Sequence, residues 1–139
     1  MLLLDTHVWI WAVNGDARRL GPRTRRLLSR FESAGAVRVS PVTLFELTAL
    51  HTLGRIRLTR TPEQWIRESV NESSIRIAEL TPAIAIDAGF IPRTGLTDPL
   101  DRLLVATARQ LDATFLTSDA RILGYASTAG DVHVRNASL

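Results

Sequence analysis

The chain has 139 residues, 45% of them hydrophobic and 22% charged, the size and balance of one globular domain over residues 1–139 rather than of a disordered segment. It has no cysteine, and its 17 basic residues are all arginine, which excludes disulfides, thiolate zinc sites, cysteine nucleophiles, Schiff-base lysines and the lysine of a phosphate-binding loop. A net charge of +3 permits binding to a polyanion without requiring it, and no apolar run reaches the roughly 18 residues of a membrane span.

The opening Leu2-Leu3-Leu4-Asp5 is a short apolar run ending in a carboxylate, which predicts a buried parallel strand whose last residue reaches the sheet's carboxyl edge. No basic stretch precedes it, so a secretory signal is not expected and the expected location is the cytoplasm. Val8 to Val13 predict a first helix that is apolar almost all round, broken at Asn14-Gly15-Asp16. From Pro22 to about Ser33 the pattern is amphipathic, with Leu27, Leu28 and Phe31 on one face and Arg23, Arg26 and Arg30 on another. Val37 to Ser40 alternates like a strand, and Pro41 suits the first turn of a helix running to about Leu53, closed by Gly54.

Thr61-Pro62-Glu63 predicts a capped helix start, with Trp65, Ile66 and Val70 as its apolar positions. Ile75 to Leu80 alternates again, Thr81-Pro82 opens a helix through Ala88, and a loop follows from Gly89 to Thr97. Asp98-Pro99-Leu100-Asp101 then begins the longest helix, with Asp98 as its cap and Leu103, Leu104, Ala106, Ala108 and Leu111 as its apolar face. Ala113 to Ser118 is a buried strand ending at Asp119, and Val132 to Val134 a short edge strand. Alternating strands and helices predict an α/β fold, a parallel sheet of four to five strands with helices on both faces.

Ligands of such sheets gather beyond the carboxyl ends of the strands, and the predicted elements place Asp5, Glu46, Asp101 and Asp119 at that rim. Each acid has a bland alternative: Asp98 and Asp119 as caps, Asp101 as a partner of the helix dipole. Glu46 and Asp5 resist it, because they stand within or just after apolar runs, where an unpaired carboxylate is costly. Oxygen ligands with no cysteine and three histidines favour Mg²⁺ or Mn²⁺, ions used at carboxylates chiefly on phosphates. His7 lies near the rim, where a structural role in the turn outweighs a ligand role, and His51 and His133 lie away from it.

Four segments, Met1 to Val8, Val39 to Leu47, Asp98 to Ala106 and Phe115 to Asp119, together resemble the PIN-domain ribonucleases, specifically the VapC toxins of bacterial toxin-antitoxin pairs. The resemblance implies an acidic quartet of Asp5, Glu46, Asp101 and Asp119 around one or two Mg²⁺ ions, Mn²⁺ being possible in their place, with Asp98 as an alternative ligand to Asp101. It implies small polar residues, Thr6 and Thr117, beside the site, holding a carboxylate or a phosphate oxygen. RNA substrate, a homodimer and a VapB-type antitoxin are implied as partners. Two positions depart from the relatives: Leu96 where a histidine is frequent, which bears on substrate contact, and Phe45 where a tryptophan is usual, read as a mild packing change.

Two other readings compete with an endoribonuclease. A phosphoryl-transfer or receiver-like domain also puts aspartates at a parallel sheet's carboxyl edge, but receivers rely on a lysine that this chain lacks. A catalytically silent PIN-fold binding partner would keep the fold without the chemistry, and apolar surfaces around Trp9, Trp11 and Trp65 would serve binding. The arginines at 18, 19, 23, 25, 26 and 30 are candidate RNA-backbone contacts or a solvated helix face.

Overall fold

In the computed structural model, which describes residues 1–16 and 18–139, the leucine run at the N-terminus is strand β1 (Leu2–Leu4), with all three side chains fully buried. It is the central strand of a parallel sheet ordered β3-β2-β1-β4-β5, where β2 is Val37–Val39, β3 Ile75–Ile77, β4 Thr114–Thr117 and β5 His133–Asn136. The helices between them are α1 (Thr6–Asn14), α2 (Pro22–Ser33), α3 (Pro41–Thr52), α4 (Pro62–Asn71), α5 (Pro82–Phe90), α6 (Pro99–Leu111) and α7 (Ala120–Ala129).

The period-two alternation of a strand divides the core. Leu2 and Leu4 face one side, packing with Trp9, Leu20, Leu28, Leu47 and Trp65 from α1 to α4, while Leu3 faces the other with Leu104, Val105, Phe115 and Ile122. Trp9 and Trp65 meet edge to face with ring centroids 4.8 Å apart, and Trp65 Nε1 donates to Asn14 Oδ1. The expected apolar binding surface around Trp9 and Trp65 is therefore interior, because α1 and α4 bury these rings against each other. Trp11 is half-buried, under Arg19.

Ser40, Thr61, Thr81 and Asp98 cap α3, α4, α5 and α6 as local chemistry predicts, each followed by a proline at the first helical position. Differences fall at weaker signals. Asp119 caps a ten-residue helix, α7, that the sequence analysis does not predict, and β5 continues past Val134 to Asn136. Gly124, Ser127 and Thr128 give α7 poor intrinsic propensity, so it forms by seating Ile122, fully buried, in the core.

Strands β2 and β3 lie on one side of β1, and β4 and β5 lie on the other. The connections thus diverge between β1 and β4, leaving a crevice beyond their carboxyl ends. Asp5 N donates to Leu116 O at 3.0 Å, which holds the two strand ends level there.

Candidate active site

Five carboxylates meet at this crevice, and three of them start helices. Asp5 caps α1, its Oδ1 accepting from Thr6 N at 2.8 Å; Asp98 caps α6 through Leu100 N at 2.9 Å; Asp119 caps α7 through Arg121 N at 2.8 Å. Asp101 lies in the first turn of α6 and Glu46 in the second turn of α3. The positive ends of four helix dipoles therefore converge on the acids, a partial offset to their mutual repulsion in a chain without lysine.

Two buried threonines hold the acids. Thr117 Oγ1 donates to Asp5 Oδ2 at 2.6 Å and accepts from Asp119 N at 3.0 Å, so one hydroxyl links β1 to the start of α7. Thr6 Oγ1 donates to Glu46 Oε1, linking α1 to α3. Both threonines are fully buried, which fits the expectation that they hold carboxylates.

Electrostatics tie the acids into one group. Burial raises the Asp5 carboxyl above its ordinary range, against the bonds from Thr117 and Thr6 and the nearby His7. Glu46 is also raised, first by burial and then by Asp5 and Asp98, against the bond from Thr6. Asp101 is pushed up to about 7 by burial, then by Asp98, Asp119, Asp5 and Glu46 in turn. Asp119 goes the other way: burial opposes its charge, but the Arg121 guanidinium, 3.2 Å from Oδ2, and backbone donors hold it below the usual range.

Asp101 differs from the rest. It is 7% exposed, and among the described residues no protein donor bonds its carboxylate, whereas each of the other four has one. Among the described residues, no three acidic or histidine side chains are already arranged to hold a metal ion. The carboxylates of Asp5, Glu46, Asp98 and Asp119 are directed at the protein's own donors. The donor set is nonetheless all hard oxygen, its charges feel one another, and Asp101 has no hydrogen-bond donor among the described residues, so the residues present fit Mg²⁺ or Mn²⁺.

Three residues depart from expectation. Phe45 does not pack: it is 62% exposed on α3 beside Glu46. Leu96, 3% exposed, is part of the core with Ile91 and Leu104 and leaves its position without a polar group. Arg121, which the sequence analysis does not single out, is a guanidinium that acts on Asp119, Asp101 and Asp98. It lies in the helix that local propensity did not reveal; the signal for it was an Asp two residues ahead, in capping position. His7 is exposed with its ring 5.9 Å from Trp11, His133 is exposed, and His51 lies late in α3.

Residues 2–127 match the PIN domain family, and the chain belongs to it. It is 30% identical over 121 residues to Ribonuclease VapC22 of Mycobacterium tuberculosis, a homologue of which 88% is covered, along with 87% of this chain. The fold is shared with VapBC2 from Rickettsia felis bound to a DNA fragment from its promoter (TM-score 0.67, 16% identity, 97% of each chain). It is shared also with FitAcB from Neisseria gonorrhoeae (TM-score 0.63, 24% identity, 98% of this chain and 97% of that one).

Proposed function

We propose that this protein is an endoribonuclease toxin of the VapC kind, hydrolysing RNA phosphodiester bonds with Mg²⁺ at Asp5, Glu46, Asp101 and Asp119, and neutralised by a VapB-type antitoxin. The observation that carries the reading is Asp101, a buried carboxylate with no protein donor, surrounded by four others. Its ionised form at neutral pH calls for a divalent cation, and carboxylate-held magnesium acts chiefly on phosphates. The name of the homologue, a ribonuclease, supports the RNA substrate, and the VapBC and FitAcB complexes that share the fold support the antitoxin.

Bound at these acids, Mg²⁺, or Mn²⁺ in its place, supplies Lewis acidity: a lower pKa for the attacking water and an offset for charge developing on the phosphate. The chain's own residues do the rest. Asp101 and Asp5 would hold the ion directly, and Asp119 would join them directly or through water. Asp98 caps α6 and adds negative field. Thr6 and Thr117 fix Glu46 and Asp5 in place, which pre-sets the donor geometry. Glu46 Oε2, the oxygen that Thr6 leaves free, takes the proton of the attacking water; burial raises its pKa, which makes it a stronger base than an ordinary carboxylate.

A homodimer is part of the same reading. The outward side of α5 carries Ala83, Ile86, Gly89 and Phe90, all exposed and uncharged, surface of the kind that association covers. No helix among the described residues is long and apolar enough to cross a membrane.

The test uses Asp5→Asn and Asp101→Asn. Asparagine caps α1 as well as Asp5 does, and at position 101 it keeps the shape of the aspartate while removing its charge, so the fold is expected to persist in both. RNA cutting in magnesium should fall to background while circular dichroism stays unchanged. Undiminished cutting by a homogeneous preparation of either variant would refute the assignment.

A further inference from the structure

We infer that Phe45 is the platform on which one unpaired RNA base stacks while the adjoining phosphodiester lies among the acids. The inference rests on the ribonuclease reading above and adds the contact that favours unpaired RNA.

Phe45 stands out on its own helix. Val42 and Leu47 are buried and Leu44 is half-buried, yet Phe45 is 62% exposed and forgoes the burial that a phenyl ring gains elsewhere. Among the described residues only Phe90 is an aromatic side chain more exposed, at 80%. It lies at the far end of α5 by Arg109 and Asp131, near the opposite edge of the sheet. Phe45 instead precedes Glu46 on α3, and successive Cα atoms are about 3.8 Å apart, so its backbone lies within a nucleotide's length of that carboxylate.

The surroundings suit a nucleic acid strand more than a protein. The next exposed side chains along the ring's stripe on α3 are Thr48 and Thr52, both polar, whose hydroxyls bond back to Leu44 O and Thr48 O at 2.9 Å. A lone ring among threonines is a poor core for a protein contact, which needs neighbouring apolar anchors. His7, two residues after Asp5 on α1, is exposed as well. Across the acids stands Arg121, its side chain 70% exposed.

The helices that carry the acids thus offer exposed rings on α1 and α3 and an exposed guanidinium on α7. A single strand of RNA presents the matching series of flat base and anionic phosphate. A base already paired and stacked in a duplex has no free face for the ring, so the platform favours unpaired segments.

The experiment measures fluorescence anisotropy of a labelled, unstructured RNA of mixed sequence, with Asp101→Asn as the parent so that the strand stays intact. A ribose-phosphate strand of equal length without bases serves as the second probe. Phe45→Ala should weaken binding of the RNA roughly five- to a hundredfold, the range for losing one base–aromatic stack. Phe45→Leu should fail to restore it, Phe45→Trp should restore it with quenching of the new indole by the base, and the baseless strand should bind all four proteins alike.

Equal RNA affinity for the parent, Phe45→Ala and Phe45→Leu overturns the inference and assigns the ring to a protein contact. An equal loss for the baseless strand overturns it too, because the ring would then act through structure. In both cases wild-type cutting in magnesium leaves the ribonuclease reading standing. A parent that binds neither probe, together with a wild type that cuts no RNA, removes both readings.

Discussion

A carboxylate with a pKa of about 7 when folded and 3.8 when unfolded couples folding to proton binding. Between those values folded Asp101 keeps a proton that the unfolded chain has lost. Its contribution to stability is therefore full below pH 4, declines as pH rises, and is lost above about 7. Asp5 and Glu46 are shifted in the same direction and add to the slope. Asp119, held low by Arg121, has the opposite sign: its contribution is present above the ordinary carboxylate pKa and lost as pH falls through its depressed folded value. Urea unfolding in the presence of a chelator should accordingly show stability falling between pH 4.5 and 7, and Asp101→Asn should remove a large part of that fall; a slope unchanged in the variant would contradict the assignment. Asp5 and Glu46 were legible in the sequence because a charge inside an apolar run is visible one residue at a time. The freedom of Asp101 from protein donors was not, since it depends on where Thr6, Thr117 and Arg121 direct their hydrogen bonds. Phe45 was misread for the same reason: an apolar residue in an apolar helix looks internal until the direction it faces is known.

Most helix starts were written locally, in a Ser, Thr or Asp followed by proline, and these held. Helix α2 is different: its cap residue, Gly21, has no side chain to offer, and the donors of Thr24, N and Oγ1, both reach Leu139 O at 3.0 Å from the other end of the sequence. Such a contact, 115 residues away, leaves no trace in a local pattern. It also explains the glycine, whose φ of −66° is open to any residue. A Cβ there would lie 2.0 Å from the Leu139 carbonyl carbon and 2.5 Å from Ser138 O, both backbone atoms that a rotamer change cannot move. Gly21→Ala should thus destabilise the protein by about 1–3 kcal/mol, the usual range for overpacking, and raise amide exchange at Thr24. A midpoint in urea equal to that of the wild type would show that the tail moves aside freely. Helix α7 was missed because its stability comes from docking Ile122 rather than from its own residues.

The strand and helix alternation, and with it the parallel sheet, could be read from hydrophobic periodicity; the strand order could not, because it arises from pairings such as Leu3 with Phe115. That order brings β1 and β4 together and so makes neighbours of Asp5 and Asp119. Gathering like charges in this way weakens the fold until a cation arrives, and a ligand bound by the folded state alone stabilises it by mass action, about 2.7 kcal/mol at a hundredfold excess over Kd. Magnesium should therefore raise the melting temperature at pH 7.5 more than at pH 5.5, beyond what matched ionic strength achieves with sodium chloride, and Asp101→Asn should blunt the rise. An equal shift from both salts would mean screening without a site. The shared duty of Asp5, Asp98 and Asp119 as helix starters bears on descent. A lineage of such toxins that had stopped cutting nucleic acid would still need a helix cap at those three positions, which asparagine, serine or threonine supplies as aspartate does. Glu46 and Asp101 begin no helix, so under the proposed function these two positions are the first released to drift once cutting is lost.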